Sequence, residues 1–388
     1  MTAPQRRRLC WIATTPFQFN AFLHPHVREI AKHHDLTLAL NLNDEYKLQT
    51  PEAAVQVVGV PIARRISPLR DLAALLALLR LITRGRFDAV HSFAPKAGLL
   101  GMIAAWLARV PVRVHSFQGE VWASRRGPMR ALLKAADRLT AKLATRVLVV
   151  GRGEKTFLED EGVISRGRAV VLGDGSIAGI DTARYRPNAA ARAGVRTQLQ
   201  VKDTEVLLLF LGRLVRDKGV LDLAAAFNLA CNRNPNLALA FVGPDEEELA
   251  AEIRAAAGAS AGRVRFVGYT QRSEDYLAAS DIVCLPSYRE GFSTVILEAA
   301  ACGIPVLASR IYGTEDTLID GVTGRYLSAL DPPGWSNAIV ELAADAARRE
   351  QMGRAGRSHV LERYRVERLV AEMQKFYESA LESPTAGT

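Results

Sequence analysis

Two carboxylates, Glu290 and Glu298, bracket the segment Glu290-Gly291-Phe292-Ser293-Thr294-Val295-Ile296-Leu297-Glu298. The first stands in a loop behind an apolar run of strand length, Ile282 to Leu285. The second lies about one turn into a helix for which Ser293 is the candidate cap. Gly291 lets the backbone approach a ligand closely. The amides of Phe292, Ser293 and Thr294, with the helix dipole behind them, form a candidate anion site between two acceptors of hydroxyl hydrogens. A phosphate between two polyols matches that array, which is the chemistry of a nucleotide sugar: one carboxylate for the ribose, one for the transferred sugar, amides for the pyrophosphate. A capped helix with two solvated acids accounts for the same residues, so the surrounding sequence must distinguish the two.

A second cluster follows another strand-like run. Phe210-Leu211-Gly212-Arg213-Leu214-Val215-Arg216-Asp217-Lys218-Gly219 offers two cations, Arg213 and Lys218, on a glycine-flanked turn. They can clamp a pyrophosphate and neutralise charge on a departing nucleotide, and surface ion pairs are the alternative. Gly151 to Thr156 completes neither a dinucleotide nor a P-loop fingerprint, because Thr156 stands at the third glycine position and Glu154 precedes the lysine; it reads as the start of an ordinary helix. His24, His26, His33 and His34 share one early helix without metal-ligand spacing. No Asp-x-Asp element is present to hold a divalent ion on a diphosphate. No metal and no cofactor are therefore expected, and Arg213 and Lys218 are assigned that charge instead.

These candidates need a scaffold. A chain of 388 residues with 49% apolar content has the length for two domains and two cores. Strand-length runs at Val206 to Leu211, Leu237 to Val242, Val264 to Val267, Ile282 to Leu285 and Val306 to Ala308 have helix-length segments between several of them, the pattern of a parallel doubly wound sheet. The first half repeats it at Leu9 to Thr14, Leu36 to Leu42, Val55 to Val60, Ala89 to Ser92, Val112 to Phe117, Val147 to Val150 and Val170 to Leu172. The expected fold class is thus α/β, with two Rossmann-like doubly wound domains facing a cleft, at residues 1–175 and 176–365. The turn-rich stretch Gly173 to Pro187 is the expected hinge. A last helical stretch, 366–382, is available to pack back on the first domain, and a loose tail should follow it.

Charge is uneven. Residues 1–175 carry 26 Lys and Arg against 14 Asp and Glu, and the remainder 24 against 27. The basic half suggests an anionic partner, either lipid headgroups or nucleic acid, with an arginine-rich solvated face as the alternative. Nucleic acid is disfavoured because no aromatics interleave a basic stripe. Cys10, Cys231, Cys284 and Cys302 lack metal or redox spacing and read as reduced thiols of a cytosolic protein. The greasy stretches are too short to span a bilayer, and no secretion signal is read at Arg6 to Pro16.

The ordered set Gly212 to Gly219, Val264 to Tyr269, Ser280-Asp281, Pro286-Ser287, the glutamate pair, Glu298 to Val306 and Asp320 to Gly324 resembles the retaining glycosyltransferases of family 4, which have the GT-B fold. The first half is more loosely similar to the surface-polysaccharide branch, through His91 to Gly98, Phe117 to Trp122 and Val171 to Asp181. The resemblance implies that Arg213 and Lys218 clamp the diphosphate, that Glu298 binds the ribose, and that Glu290 with Gly291 and the amides of Phe292, Ser293 and Thr294 grips donor sugar and phosphate. The base would stack near Val267 and Gly268. Where many relatives carry a histidine after the fifth strand, this chain has Gln118-Gly119. Gln118 replaces it, or His115 reaches in from a shifted register, or the role is vacant.

The expected activity is transfer of a hexose or N-acetylhexosamine from a nucleotide diphosphate sugar, UDP-linked, to an acceptor such as a polyprenyl-diphosphate-linked sugar. The alternatives are a sugar-nucleotide epimerase on the same fold and a basic nucleic-acid-binding protein. Leu69 to Arg86, apolar with Arg70, Arg80, Arg84 and Arg86, is a candidate surface for peripheral docking on the inner membrane face, or else a buried domain helix.

Overall fold

The computed structural model describes residues 6–43, 47–49, 55–63 and 66–383. It forms two compact units, one ending at Gly179 and completed by the residues from Val366 on, the other running from Ile180 to Arg365. The expected division at residue 175 therefore moves a few residues along the chain, because Ile180 belongs with the second unit, where its amide donates to Tyr364 O at 2.7 Å. Most of the expected tail lies outside the described residues.

In the first unit, seven strands lie parallel: β1 (Arg8–Ile12), β2 (Asp35–Leu40), β3 (Val55–Gly59), β4 (Ala89–Phe93), β5 (Val112–Ser116), β6 (Arg146–Val149) and β7 (Ala169–Val171). Their order is β3-β2-β1-β4-β5-β6-β7. Side chains alternate across a strand, so β1 feeds both faces: Cys10 and Ile12 enter one core, Leu9 and Trp11 the other. The first core is closed by the helices Pro68–Gly85, Pro95–Leu107, Gly127–Leu143 and Arg152–Asp160, which contribute Ala74, Leu78, Ile82, Met102, Ala141 and Leu158.

The opposite face is closed from both ends of the chain. Val27 and Ile30 come from the helix His24–His33, and Leu369, Met373, Tyr377 and Ala380 from the helix Val366–Glu382. The spacing of those last four puts them on one helical face. The Tyr377 hydroxyl lies 2.6 Å from His91 Nδ1, and His91 Nε2 lies 2.7 Å from Ser116 Oγ. Burial holds His91 far below the usual imidazole range, so the ring is neutral, with one nitrogen donating and the other accepting.

The stretch Leu69 to Arg86 combines features of both readings made of it. Ala74, Leu78 and Ile82 are buried, whereas Leu69 (84% exposed), Leu72 and Leu76 face outward and Arg80 and Arg84 continue that side. No helix among the described residues is long and apolar enough to cross a membrane.

The second unit holds six parallel strands, β8 (Val206–Leu211), β9 (Leu237–Val242), β10 (Val264–Phe266), β11 (Ile282–Leu285), β12 (Val306–Ser309) and β13 (Gly324–Leu327), in the order β10-β9-β8-β11-β12-β13. β13 is absent from the expected strands, since a four-residue edge strand beginning with glycine and exposing Arg325 leaves little apolar pattern. Asp281, at the start of β11, accepts from Arg192 at 2.6 Å, from Arg196 at 3.0 Å and from the Leu207 amide at 2.7 Å, pinning the helix Ala189–Gln198 to two central strands.

Tyr377→Phe keeps the ring and strands a buried imidazole nitrogen. The expected loss is about 1–3 kcal/mol of stability, read from the urea midpoint of the full chain. An unchanged midpoint would show that the hydroxyl is not required.

Candidate active site

β8 and β11 are neighbours in register, Leu208 opposite Ile282 and Leu209 opposite Val283. β8 continues to β9 and β10 on one side, β11 to β12 and β13 on the other. The loops leaving these two strands therefore diverge at the carboxyl edge, where open α/β sheets bind ligands.

Gly219 brings the two loops together. It ends the short turn Arg216–Lys218 at φ 66°, and a Cβ there would lie 2.2 Å from the Pro286 carbonyl oxygen. The Tyr288 amide donates to Asp217 O at 2.9 Å across the same seam. As a result, the Lys218 ammonium donates to Glu290 Oε1 at 2.6 Å, with Ser287 Oγ donating to the same oxygen at 2.7 Å. Both partners of this ion pair are largely buried. Arg213 turns elsewhere: its side chain is 55% exposed and pairs with Glu246 at 2.8 Å. Of the two expected clamp cations, only Lys218 contacts the acidic element.

The helix Thr294–Ala301 starts where the glutamate spacing requires, but its first turn differs from expectation. Ser293 occupies the cap position with no side-chain capping bond, and its amide donates to Gly313 O at 3.0 Å. The loop after β12 folds over this point, so the central amide of the expected trio is committed. Phe292 and Thr294 flank it, and Gly291 precedes them in the half-buried turn.

Glu298 is half-buried on the same helix. Burial lifts its carboxyl to about 7, against the charge of Arg184 and the hydroxyl of Tyr185, while Glu274 adds to the rise. Val267 and Gly268 follow β10. The Val267 amide bonds Phe241 O at 3.0 Å, and Gly268 O accepts the Gly243 amide at 2.8 Å. A Cβ on Gly243 would sit 1.9 Å from Gly212 O, so the ends of β10, β9 and β8 meet through bare backbone.

Residues 23–175 match the family described as "Glycosyl transferase 4-like domain", and residues 192–359 match "Glycosyl transferases group 1". The chain belongs to the family 4 type of glycosyltransferases, with the GT-B fold. It is 25% identical over 328 residues to the capsular polysaccharide biosynthesis glycosyltransferase CapM of Staphylococcus aureus, covering 83% of this chain and 84% of that one. It is 27% identical to the UDP-Gal:alpha-D-GlcNAc-diphosphoundecaprenol alpha-1,3-galactosyltransferase of Escherichia coli, over 75% of this chain and 76% of that one. Among solved structures it resembles Anabaena HepE in complex with UDP-glucose, with a TM-score of 0.81 and 19% identity, covering 96% of this chain and all of the other.

In the first unit of this glycosyltransferase, Gln118 stands just past the end of β5 and accepts from Gln18 Nε2 at 2.6 Å. His115 lies inside β5, fully buried, with Nδ1 2.9 Å from Ser92 Oγ, and burial pushes its imidazole down to about 3. It is packed beneath Gly98, where a Cβ would lie 2.4 Å from its ring, so its register gives it no route to the strand end.

Sequence reasoning passed over Glu154 as part of an ordinary helix start. It is fully buried, accepts from the Gly119 amide at 2.5 Å and the Val150 amide at 2.8 Å, and fixes the turn that carries Gln118. Burial and the neighbouring Glu120 charge raise its carboxyl well above the usual range. An acid in the first turn of a helix is the only local signal, and it does not name the amides served. Arg184 and Tyr185 beside Glu298 were likewise read only as part of a hinge.

Gly219→Ala tests the seam between the loops. Gly219 and Gly268 share left-handed backbone, at φ 66° and 59°, but a Cβ on Gly268 meets nothing within 4 Å. Both substitutions carry about 1–2 kcal/mol of backbone strain, and Gly219→Ala should lose clearly more in urea titration because Pro286 must also move. Equal losses would contradict the close approach.

Proposed function

We propose that this glycosyltransferase retains anomeric configuration and moves a hexose or N-acetylhexosamine from a UDP-linked donor to a lipid-linked sugar acceptor in surface polysaccharide assembly. The observation that carries the reading is the Lys218–Glu290 pair at the divergence of β8 and β11, one turn from a helix N-terminus. The nucleotide and the lipid-linked acceptor are supported by the names of the similar proteins: UDP-galactose and a diphosphoundecaprenol acceptor for one, UDP-glucose bound to another.

In this reading the donor diphosphate takes up the Lys218 ammonium. Lys218 and Ser287 both bond Oε1 of Glu290, so Oε2 is the atom assigned to a sugar hydroxyl. The amides of Phe292 and Thr294 face the phosphates, with Arg213 joining if it leaves Glu246. Glu298 accepts the ribose hydroxyls, Val267 and Gly268 flank the base, and Gln118 is assigned to the donor sugar. The bond from the anomeric carbon to the β-phosphate oxygen breaks as the acceptor oxygen bonds to the same face. The acceptor proton passes to that phosphate oxygen and UDP leaves, so no enzyme nucleophile is required. Lys218 acts where negative charge accumulates, which is the interaction that accelerates the step rather than merely binding substrate.

Docking on an anionic membrane belongs to the same reading. Its support is the basic excess of the first 175 residues and the outward side of the helix Pro68–Gly85, where Leu69, Leu72 and Leu76 precede Arg80 and Arg84.

Lys218→Ala is expected to weaken UDP binding about 10- to 100-fold in titration calorimetry, the equivalent of one charge-assisted contact of about 1.5–3 kcal/mol. Glu298→Ala should mainly raise the donor KM, and Glu290→Ala should mainly lower kcat. Full turnover by Glu290→Ala at saturating donor would remove that acid from the reacting sugar, and an inverted product by NMR would refute retention. Vesicle binding should fall with salt over a Debye length of about 8 Å at physiological ionic strength, and replacing Arg80, Arg84 and Arg86 by Gln should mimic salt. Indifference to anionic vesicles at low salt would remove the membrane from the reading.

A further inference from the structure

The segment that leads into the second unit is built as a closed turn. Asp181 Oδ1 accepts the amides of Ala183 and Arg184 at 3.0 and 3.1 Å, and the Tyr185 amide donates to Asp181 O at 2.8 Å. The turn presents two consecutive side chains to one place. Arg184 donates through Nε and Nη2 to Glu274 Oε2 at 3.0 and 2.8 Å, and through Nη2 to Gln271 O at 2.7 Å. Its guanidinium carbon lies 5.2 Å from the centre of the Tyr185 ring.

Tyr185 is wedged between the main core and the small cluster of Ile180, Leu297, Ala300 and Tyr364. Its hydroxyl lies 3.0 Å from Ser273 Oγ, and its ring packs against the cluster that holds Leu297 and Ala300, the neighbours of Glu298 on their helix. Tyr185 thus spans from Ser273 to the helix that carries Glu298, and its hydroxyl and the Arg184 charge both favour the ionised carboxyl there. The stretch Gln271–Glu274, held by Arg184 and Tyr185, continues directly from Val267 and Gly268. Two residues outside every assigned motif thus connect the acid on the helix Thr294–Ala301 to the strand end beside it.

We propose that Arg184 and Tyr185 are positioning residues for the donor nucleotide, holding Glu298 as an oriented acceptor for the ribose hydroxyls and tying it to the Gln271–Glu274 stretch beside the base. This rests on the reading of Glu298 as the ribose ligand. A vicinal diol presents two donors and needs acceptor lone pairs. A protonated carboxyl offers fewer of these and adds a competing donor of its own.

The charge state of Glu298 is contested by its surroundings. Burial favours the neutral acid, Arg184 and the Tyr185 hydroxyl favour the carboxylate, and Glu274 opposes it. Other titratable or charged groups on the elements packed here include Cys302 at the end of the same helix, Arg272 and Asp275, which pair at 2.6 Å, and Arg357, which bonds Ala301 O. With its carboxyl at about 7, Glu298 ionises as pH rises through neutrality, and ribose binding strengthens in that direction. Removing Arg184 or the Tyr185 hydroxyl moves the midpoint upward.

The test is calorimetric titration of the full chain with UDP from pH 5.5 to 8.5, using wild type, Arg184→Gln, Tyr185→Phe and Glu298→Gln. Inorganic pyrophosphate, which has no ribose, is the control for fold and phosphate binding. Wild-type affinity for UDP should rise about tenfold or more across the range, and affinity for pyrophosphate should not follow it. Arg184→Gln and Tyr185→Phe should weaken UDP binding several-fold near pH 7, recover toward wild type at pH 8.5, and leave pyrophosphate binding unchanged. Glu298→Gln should bind UDP weakly at every pH.

If Glu298→Gln weakens UDP binding while both other variants keep the wild-type profile, the positioning role is overturned and the ribose assignment stands. A uniform loss without a moved midpoint also overturns it, since a purely structural brace would act that way. Wild-type UDP affinity in Glu298→Gln would remove the ribose assignment itself, and this inference with it. Should Arg184→Gln lose pyrophosphate binding through misfolding, Tyr185→Phe, which keeps the ring and its packing, decides the outcome alone.

Discussion

A parallel sheet with crossovers running outward from its middle must leave two adjacent strands whose following loops part company. In the second unit those strands are β8 and β11, and the meeting of Lys218 with Glu290 depends on that constraint. The glycine contact at Pro286 then fixes how far the loops may separate. Desolvation makes a largely buried Lys218–Glu290 pair a poor source of net stability. In the proposed reaction its value is placement, since a cation already stripped of most of its water needs little reorganisation when phosphate charge develops nearby. In that proposed reaction Ser287 keeps the orientation of Glu290 when Lys218 leaves Oε1 for phosphate and Oε2 takes a sugar hydroxyl.

The local parts of this arrangement are legible in the sequence, and the distant partners are not. Periodicity and glycine punctuation locate the strands, the helix that carries Glu298 and the turn that carries Lys218. Nothing local couples Lys218 to Glu290, 72 positions away, or Arg184 to Glu274, 90 positions away, because such pairs are created by strand order. Ser293 shows the converse. Its residue type and position suit a cap, yet Gly313 from a different loop takes its amide and the hydroxyl does not cap, so tertiary contact overrides a local preference. Glu154 was underestimated for the same reason, since its value lies in the Gly119 amide, 35 positions earlier.

Both units hold largely buried ion pairs, Lys96–Asp71 at 2.8 Å in the first among them, and the first also buries ionisable groups in hydrogen bonds. In the second, Asp281 satisfies Arg192 and Arg196 where strands begin, and Lys218 meets Glu290 where strands end, so charges are paired across the sheet edges. In the first, burial pushes His26 down to about 4 and His115 to about 3, and Glu154 is raised beside Glu120. The two imidazoles are neutral hydrogen-bonding parts of the core, and the Glu154 carboxyl is held by two backbone amides. The large positive excess of the first half is therefore carried by outward-facing arginines such as Arg80 and Arg84 rather than by the interior.

The chain order has one further consequence for the first unit. Each face of its sheet must be covered, and the four crossover helices Pro68–Gly85, Pro95–Leu107, Gly127–Leu143 and Arg152–Asp160 cover only the face fed by Cys10 and Ile12. Leu9, Trp11 and Phe93 point the other way, toward the short helical stretch Phe19–Leu23, the helix His24–His33 and the helix Val366–Glu382. Until the final helix docks, about four core side chains are missing from that face, each worth about 1.5–3 kcal/mol on burial, and His91 lacks a partner for Nδ1. A deficit of that size is comparable to the whole stability of a domain. The second unit is thus inserted, in folding terms, into a first unit whose core is complete only when the end of the chain returns to it.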